Sequence, residues 1–264
     1  MTATRVRSDV SVALSVWRAL FLREATARLA SDRAGALWLF LEPAAHLVFL
    51  MVLYGAIRHH LASGAANAEV FVLLGVWGFF LVRNGASRGM DAISANAALF
   101  AYRQVRPVDT VIVRAALEGS LYLIVWFLLL GGLALVGVDV VPADPMQVMA
   151  AAFLLWFLGM GMALVFSVLA SLLPEAGRII RLTFMPLYIL SAVMYPISGV
   201  PRAMREWMLL NPIVHGLELM RGGYFASYHG ESHVSFGYLG TSALVLLFLG
   251  LALHTRYSQR LVAQ

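Results

Sequence analysis

Few residues of this chain could carry out chemistry, and they stand among apolar neighbours. An embedded transferase or hydrolase needs a paired acid and base, and only Glu42 with His46 approaches one. Gly85, Ser87 and Gly89 match the G-x-S-x-G pattern of a serine-hydrolase elbow. That elbow follows a strand, whereas the residues before Gly85 are typical of a helix. We therefore interpret Gly85 and Gly89 as a G-x-x-x-G packing motif.

Histidines in two loops give only weak metal-binding patterns. His59 and His60 are adjacent, and His229, Glu231 and His233 alternate. The polarity of an exposed loop explains both groups without a metal. We predict no metal site and no catalytic residue.

Two residue types are absent from the 264 residues, and each absence excludes a kind of chemistry. Without cysteine there are no disulfides, iron–sulfur clusters or thiolate zinc sites. Without lysine there is no P-loop, because the lysine of G-x-x-x-x-G-K-[ST] must reach the phosphates. We predict that this chain binds no cofactor and that any ATP driving it is bound by a partner subunit.

Six apolar stretches, each long enough to cross a bilayer, take up more than half of the chain. A spanning helix needs about 20 mostly apolar residues, and only 12% of this chain is charged. The stretches lack the alternation of a membrane β-barrel, and lipid otherwise tolerates only helices. We predict one all-α polytopic membrane domain whose spans cover residues 37–57, 69–90, 111–138, 146–173, 179–197 and 234–254.

The positions of the 19 arginines indicate how these spans are oriented. Fourteen arginines precede span one, flank the connection between spans two and three, or follow spans four and six. All these segments lie on one side of the membrane. Because cytoplasmic loops carry the excess of basic residues, we predict that both termini are cytoplasmic.

Residues 1–36 carry six arginines and have no apolar core of the length that a cleavable signal peptide needs. Leu14, Trp17, Leu20 and Phe21 share one face at helical spacing. Tryptophan beside arginine is typical of a helix lying in the cytoplasmic interface. We predict such an amphipathic interfacial helix, with packing against the chain's own spans as the alternative.

Ionisable residues inside two predicted spans need a partner or a hydrated cavity. Glu42, beside Pro43, is interpreted as paired with an arginine of the interfacial helix, and contact with a substrate is the alternative. A central arginine costs roughly 2.5–3.5 kcal/mol on insertion scales unless it snorkels or faces water. Arg83 is therefore either an anchor or a pore residue.

Two connections between spans have unusual compositions. Residues 94–110 are too polar to span the membrane, and their aromatic and basic side chains form a knob that Pro107 ends. Such a knob suits docking into a partner's groove, and an ordinary solvated loop is the alternative. Residues 198–233 contain short apolar runs broken by Asn211 and Pro212, a pattern typical of a re-entrant or surface-lying hairpin.

These residues resemble the permease subunits of capsular polysaccharide ABC exporters, the KpsM-type members of the type-2 ABC exporter permeases. The resemblance covers nearly the whole chain, including the external residues His215, Glu218 and Arg221. Its most specific segments are 19–24 (ALFLRE), 41–47 (LEPAAHL), 102–110 (YRQVRPVDT), 174–175 (PE), 186–188 (PLY), 194–196 (MYP) and 211–212 (NP).

The resemblance implies a homodimer in the bacterial inner membrane with two cytoplasmic P-loop ATPase subunits. It implies a lipid-linked, often acidic polysaccharide as cargo, and a periplasmic adaptor and an outer-membrane export protein that continue the route. We expect neither catalysis by this subunit nor a nucleic-acid partner. Arg83 cannot be carried over from the family pattern, so its place in the pore depends on local physics.

The candidate functional residues fall into three groups. Residues expected along the substrate pathway are Arg83, Asn84, Trp77, Phe79, Phe80, Trp126, Tyr188 and Tyr195. Residues expected to couple to the ATPase are Phe100, Tyr102, Arg103, Arg106 and Glu175. Residues expected to form a periplasmic gate are Arg202, Arg205, Glu206, His215, Glu218 and Arg221.

Three other functions compete with this interpretation. The nearest is a permease of the same class for O-antigen, teichoic acid or a hydrophobic drug. A membrane-embedded transferase is less supported, since only one acid and base approach a pair. An ion-coupled secondary transporter would show inverted repeats and discontinuous helices, and the sequence has no convincing internal repeat.

Overall fold

The computed structural model describes residues 9–30, 68–102, 104–228 and 230–263, with six further positions between 41 and 52. The regular structure of these residues is helical, and no strand occurs among them. Short 3-10 turns cover Ala97–Ala101 and Ile197–Gly199. The α-helices of the described residues are α1 (Asp9–Ala30), α2 (Ala68–Met90), α3 (Ala92–Ala95), α4 (Pro107–Leu135), α5 (Pro145–Leu172), α6 (Pro174–Leu190), α7 (Arg202–Met208), α8 (Pro212–Tyr224), α9 (Phe236–Arg256) and α10 (Ser258–Val262).

Four of the described helices, α2, α4, α5 and α9, are long and apolar enough to cross a membrane. They lie where spans two, three, four and six are predicted. The first predicted span, 37–57, falls almost wholly outside the described residues. The fifth, 179–197, differs from the structure, because α6 begins at Pro174 and ends at Leu190. The count of six spans therefore stays a prediction.

Proline fixes the start of four helices. Pro107, Pro145, Pro174 and Pro212 each occupy the first turn of a helix, where the missing N–H costs nothing and the fixed φ suits the helix. Pro107 therefore begins α4 rather than merely ending the segment before it.

Helix α5 is the centre of the bundle and packs against α2, α4, α6, α8 and α9. Small residues let it approach α2 closely. A Cβ atom on Gly159 would lie 3.0 Å from the backbone of Val82, and one on Gly89 would lie 2.5 Å from Ala163. A Cβ atom on Gly85 would lie 4.0 Å from the carbonyl carbon of Gly159. The glycines of the G-x-x-x-G motif thus lie at the contact between α2 and α5.

Helix α1 lies along α4. Leu20 is buried, and the indole Nε1 of Trp17 donates to Asp109 Oδ1 at 2.7 Å. Leu14 stays exposed. These contacts favour packing of α1 against the chain's own helices, the alternative to a purely interfacial position.

Helix α8 is the buried part of the segment between α6 and α9. It packs against α2, α5 and α9. The side chain of Asn211 accepts a hydrogen bond from the backbone N–H of Ile213 at 3.0 Å, which caps α8. The loop between α4 and α5 is hydrogen-bonded to α8, because the backbone N–H of Asp144 donates to the Gly223 carbonyl at 2.7 Å.

Candidate functional site

The aromatic residues predicted for the substrate pathway lie in two places. In the first, Trp77 and Trp126 pack with ring centroids 4.7 Å apart. The indole Nε1 of Trp77 donates to the backbone carbonyl of Tyr122 at 2.8 Å. Both tryptophans are buried between α2 and α4. Their indoles therefore pack helices together, and their remaining free surface faces an apolar groove between α4 and α5.

The second group lies between α2 and α6. The Phe79 and Phe80 ring centroids lie 5.1 and 6.3 Å from that of Tyr188. Arg83 is exposed, and its guanidinium carbon lies 5.4 Å from the Phe80 centroid. Phe79 is buried. Phe80 is buried as well, and Tyr188 is partly buried. Arg83 is therefore the exposed residue of a cluster that combines a cation with aromatic rings.

Two further pathway candidates already have hydrogen-bond partners within the chain. The Asn84 amide donates to the Tyr122 hydroxyl, which joins α2 to α4. The Tyr195 hydroxyl donates to the Ile189 carbonyl at 2.6 Å, at the end of α6. In this conformation both side chains stabilise helix positions.

The predicted knob is divided between the protein interior and its surface. Phe100 is only 7% exposed and packs with Val111, Ala163 and Leu261. Tyr102 is 67% exposed. The expected insertion of Phe100 into a partner's groove therefore disagrees with this structure, because its ring is inside the chain's own core. Tyr102 is the aromatic side chain that the knob presents.

The remaining coupling candidates are Arg106, Glu175 and Arg103, and the first two contact residues close to them in sequence. The backbone N–H of Arg106 donates to Asp109 Oδ2 at 3.0 Å and starts α4. Glu175 and Arg178 form an exposed pair at 3.7 Å near the start of α6. Arg103 lies outside the described residues. A crevice of about 460 Å³ adjoins Tyr102, between α1 and the turn at Leu99.

A group of ion pairs joins α1 to α4, and sequence reasoning did not find it. Arg114 pairs with Glu24 at 2.5 Å, Arg28 contacts both Glu24 and Glu118, and Arg88 of α2 reaches Glu118 at 3.9 Å. Opposite charges recur four residues apart in each helix, a spacing that favours ion pairs. That repeat was the available signal, but it does not reveal which helix faces which.

The gate candidates Glu218 and Arg221 form a buried ion pair in α8. Arg221 Nη1 lies 3.1 Å from Glu218 Oε1, and both side chains are almost fully buried. Arg221 also donates to the carbonyls of Ala192 and Val193 at 2.9 and 2.6 Å. Its guanidinium carbon lies 3.9 Å from the centroid of Phe71. The pair therefore connects α8 to α2 and to the turn that follows α6.

His215 of α8 is buried in its neutral form. Its Nε2 donates to the Leu209 carbonyl at 2.8 Å, and its Nδ1 accepts from the backbone N–H of Ser235 at 3.0 Å. Burial lowers the pKa of His215. A neutral ring matches this pattern, because a protonated Nδ1 cannot accept.

The other gate candidates form pairs nearer the surface. Arg205 reaches Glu231 at 2.6 Å, and Arg202 lies 3.7 Å from Glu206. Hydrogen bonds from His233 and Arg205 lower the pKa of Glu231, and burial opposes them. Each gate candidate thus has a partner, but one pair is buried and another is fully solvated.

Four described helices long and apolar enough to cross a membrane, an exposed arginine beside aromatic rings and the absence of a P-loop lysine are the features of a membrane protein without a P-loop of its own. Residues 15–225 match the ABC-2 type transporter family. Because the match covers most of the chain, this chain belongs to that family. The resemblance read from the sequence is confirmed.

Three relatives match almost end to end. The chain is 37% identical over 248 residues to the polysialic acid transport protein KpsM of Escherichia coli, covering 94% of this chain and 95% of KpsM. It is 32% identical over 247 residues to the capsule polysaccharide export inner-membrane protein CtrC of Neisseria meningitidis serogroup A, covering 91% and 90%. It is 29% identical over 261 residues to the corresponding protein BexB of Haemophilus influenzae, covering 99% and 98%.

Proposed function

We propose that this chain is the permease subunit of an ABC exporter that moves a lipid-linked capsular polysaccharide across the bacterial inner membrane. The observation that carries the proposal is the near full-length similarity to relatives named for polysialic acid transport and capsule polysaccharide export. The subunit itself is non-catalytic. Since the chain has no lysine, ATP binding and hydrolysis fall to separate P-loop subunits.

The assembly we propose is a homodimer of six-span subunits with two ATPase subunits. The family resemblance supports this composition, and the arginine distribution supports cytoplasmic termini. ATP binding in the partners rocks the spans as rigid bodies and advances the sugar chain through the dimer. A periplasmic adaptor and an outer-membrane export protein then continue the route.

Arg83, Phe80 and Tyr188 are the residues that we assign to the pathway. Aromatic rings suit the apolar faces of sugars, and the forked donors of an arginine suit carboxylates or phosphates of an acidic polymer. The exposure of Arg83 on a helix whose apolar span is mostly buried supports this role. Phe79, Trp77 and Trp126 contribute packing instead.

The segment 198–233 is assigned to a gate at the periplasmic end. The buried Glu218 and Arg221 pair forms its fixed base, and the more exposed Arg205 and Glu231 pair is the contact that we expect to change between closed and open states. A disulfide introduced across the dimer in this segment should block export until it is reduced.

Export in the source bacterium tests the proposal directly. Deleting the gene should leave capsular polysaccharide inside the cells and none at the surface, and this chain should restore the surface polymer. Unchanged surface polysaccharide with a loss of O-antigen or teichoic acid would overturn the capsule assignment in favour of another cargo. Loss of drug resistance alone would indicate a drug permease.

Tyr102→Asp should weaken binding of the ATPase subunit. Burying a large aromatic side chain contributes about 1.5–3 kcal/mol, so its loss should lower the affinity for the ATPase roughly 10- to 100-fold. Co-purification and capsule export measure the effect. The matched control is Val262→Asp, which places the same charge at another exposed apolar residue. Undiminished co-purification would remove Tyr102 from the coupling surface.

Substitutions of Arg83 test whether the pathway binds an acidic polymer. Arg83→Gln keeps hydrogen bonding but loses the charge, and should lower export and polymer-stimulated ATPase activity several-fold. Arg83→Lys keeps the charge and should retain part of the export and of the ATPase activity, although it loses the forked donors of the guanidinium. Arg256→Gln, an exposed arginine of α9, is the control. Equal export by the wild type and Arg83→Gln, at equal protein abundance, would make Arg83 an anchor instead.

A further inference from the structure

An apolar groove of about 640 Å³ runs between α4 and α5. Its floor is formed by residues of α2 and α8, and three tryptophans line it, Trp77, Trp126 and Trp156. The Nε1 groups of Trp77 and Trp156 donate to the backbone carbonyls of Tyr122 and Ala115 at 2.8 and 3.0 Å. Because these polar atoms are already paired, the two indoles offer the groove carbon surface.

The groove opens where a membrane would place lipid. Both of its walls belong to helices long and apolar enough to span. Its rim carries the exposed apolar side chains of Leu123, Phe127 and Met149. The lining residues of α4 run from Ala116 to Leu130, a rise of about 21 Å at 1.5 Å per residue. One leaflet contributes about half of the roughly 30 Å hydrocarbon core, so the groove is long enough for one acyl chain.

One polar group in the lining lacks a partner. Tyr224, the last residue of α8, is only 4% exposed. Its hydroxyl makes no hydrogen bond to any described residue. Leaving a buried hydroxyl unpaired is unfavourable, and such groups usually have a partner in the functional state. The hydroxyl therefore indicates a ligand with a polar atom at this end of the groove.

The loop beside Tyr224 indicates the charge of that ligand. Ala143 N donates to the Tyr224 carbonyl at 3.1 Å, which brings the loop between α4 and α5 to this end of the groove. The loop contains Asp139 and Asp144 and no basic residue between positions 136 and 144. Two carboxylates attract an ammonium group and repel an anionic head group.

We propose that this groove binds one acyl chain of phosphatidylethanolamine, with the Tyr224 hydroxyl bonded to an oxygen of the lipid's ester region. The lipid fills the space between α4, α5 and α8 and links the outermost turns of these helices. The lining of this groove does not include Arg83, Phe80 or Tyr188, the residues assigned to the proposed polysaccharide pathway. Loss of the lipid should therefore lower the stability of the permease rather than change which cargo it exports.

Tryptophan fluorescence tests the site, because brominated acyl chains quench an indole on contact. The full chain is purified in detergent with its other three tryptophans replaced by phenylalanine, and is titrated with dibrominated phosphatidylethanolamine. We expect saturable quenching. Ala152→Phe fills the groove and should remove most of the quenching. Ala150→Phe, the same change on the exposed side of α5, should leave the quenching intact.

Tyr224→Phe and the choice of lipid test the polar end. Losing one hydrogen bond should weaken the lipid about 2- to 10-fold, and dibrominated phosphatidylglycerol should bind more weakly than phosphatidylethanolamine. Quenching that rises linearly and ignores Ala152→Phe would indicate surrounding lipid only and overturn the site. Absence of quenching would mean that protein covers the groove, and would also overturn it.

A second measurement does not depend on the folding of Ala152→Phe. Native mass spectrometry of the wild type should show one retained phosphatidylethanolamine per chain, and Tyr224→Phe should retain less. Equal retention by both would contradict the role of the hydroxyl. Retention of phosphatidylglycerol instead would contradict the assigned head group.

Discussion

Arg221→Ala and Glu218→Ala should each remove most of the folded permease from the membrane. Removing one partner of a buried ion pair leaves an uncompensated charge and costs about 3–5 kcal/mol, a large part of the stability of an ordinary domain. Arg221 is fully buried, and its loss also leaves the carbonyls of Ala192 and Val193 without their donors. The abundance of the subunit in membranes and its thermal unfolding in detergent measure the effect.

Arg221→Lys should rescue little of this loss. The Arg221 guanidinium reaches the Ala192 carbonyl and the Glu218 carboxylate from Nη1 and the Val193 carbonyl from Nη2. A single ammonium cannot reproduce that fork. Ala192 has a φ of 53°, a left-handed conformation that an alanine rarely adopts. The hydrogen bond from Arg221 holds this turn, so its loss should also release the end of α6.

A solvated pair on the neighbouring helix is the control. Arg202 and Glu206 lie four residues apart in α7 and are 91% and 71% exposed. Pairs of that kind contribute between about 0 and 1 kcal/mol. Arg202→Ala should therefore leave abundance and thermal unfolding unchanged. Wild-type stability in Arg221→Ala would show that the buried pair is dispensable and would contradict our account of α8.

The positions of four membrane helices could be predicted because the requirement that sets them is local. Lipid demands about 20 consecutive apolar residues, and the predicted spans 69–90, 111–138, 146–173 and 234–254 agree with α2, α4, α5 and α9. The boundaries shift by a few residues where proline, rather than hydropathy, fixes the first turn. The segment predicted as span five, 179–197, differs from α6, which begins at Pro174 and ends at Leu190. Arg221, from a distant part of the chain, donates to carbonyls of the turn after Leu190.

The candidate site was harder to predict for the same physical reason. Phe100 stands beside basic residues and was expected at a partner's surface, but its neighbours in space come from α4, α5 and α10. Tyr102, two positions later, is exposed. Sequence spacing identified an aromatic and basic segment, and only tertiary packing decides which ring is buried.

The charged residues of α8 were found from the sequence, but their surroundings were not. Glu218 and Arg221 were predicted to belong to a periplasmic gate, and in the structure they pair with each other. The sequence did not predict that this pair is enclosed by α2 and by the turn after α6. Nor did it predict the pairs that hold α1 to α4, because each involves residues about 90 positions apart.

Gly75→Ala should destabilise the permease although it adds a single methyl group. A Cβ atom on Gly75 would lie 1.9 Å from the Val193 carbonyl oxygen and 2.5 Å from Arg221 Nη2. The carbonyl cannot retreat without losing its hydrogen bond from Arg221. Overpacking of this kind costs typically 1–3 kcal/mol, which corresponds to a fall in melting temperature of roughly 2 to 12 °C for a chain of this size.

Gly132→Ala is the matched control, because it makes the same change in a membrane helix where nothing lies within 4 Å. It should be neutral or slightly stabilising, since alanine favours a helix by about 1 kcal/mol over glycine. A melting temperature for Gly75→Ala equal to that of Gly132→Ala would show that α2 can move away from the turn with little loss of stability.

Combining Gly75→Ala with Arg221→Ala asks whether both residues act through the same carbonyl. If they do, the added methyl group in the double variant displaces the Val193 carbonyl, which has already lost its hydrogen bond from Arg221. The double variant should then be destabilised by less than the two single effects together, since residues that share a partner are not additive. Strict additivity would mean that the methyl group clashes with the backbone alone, and that the hydrogen bond from Arg221 does not fix the approach of α2 to the turn.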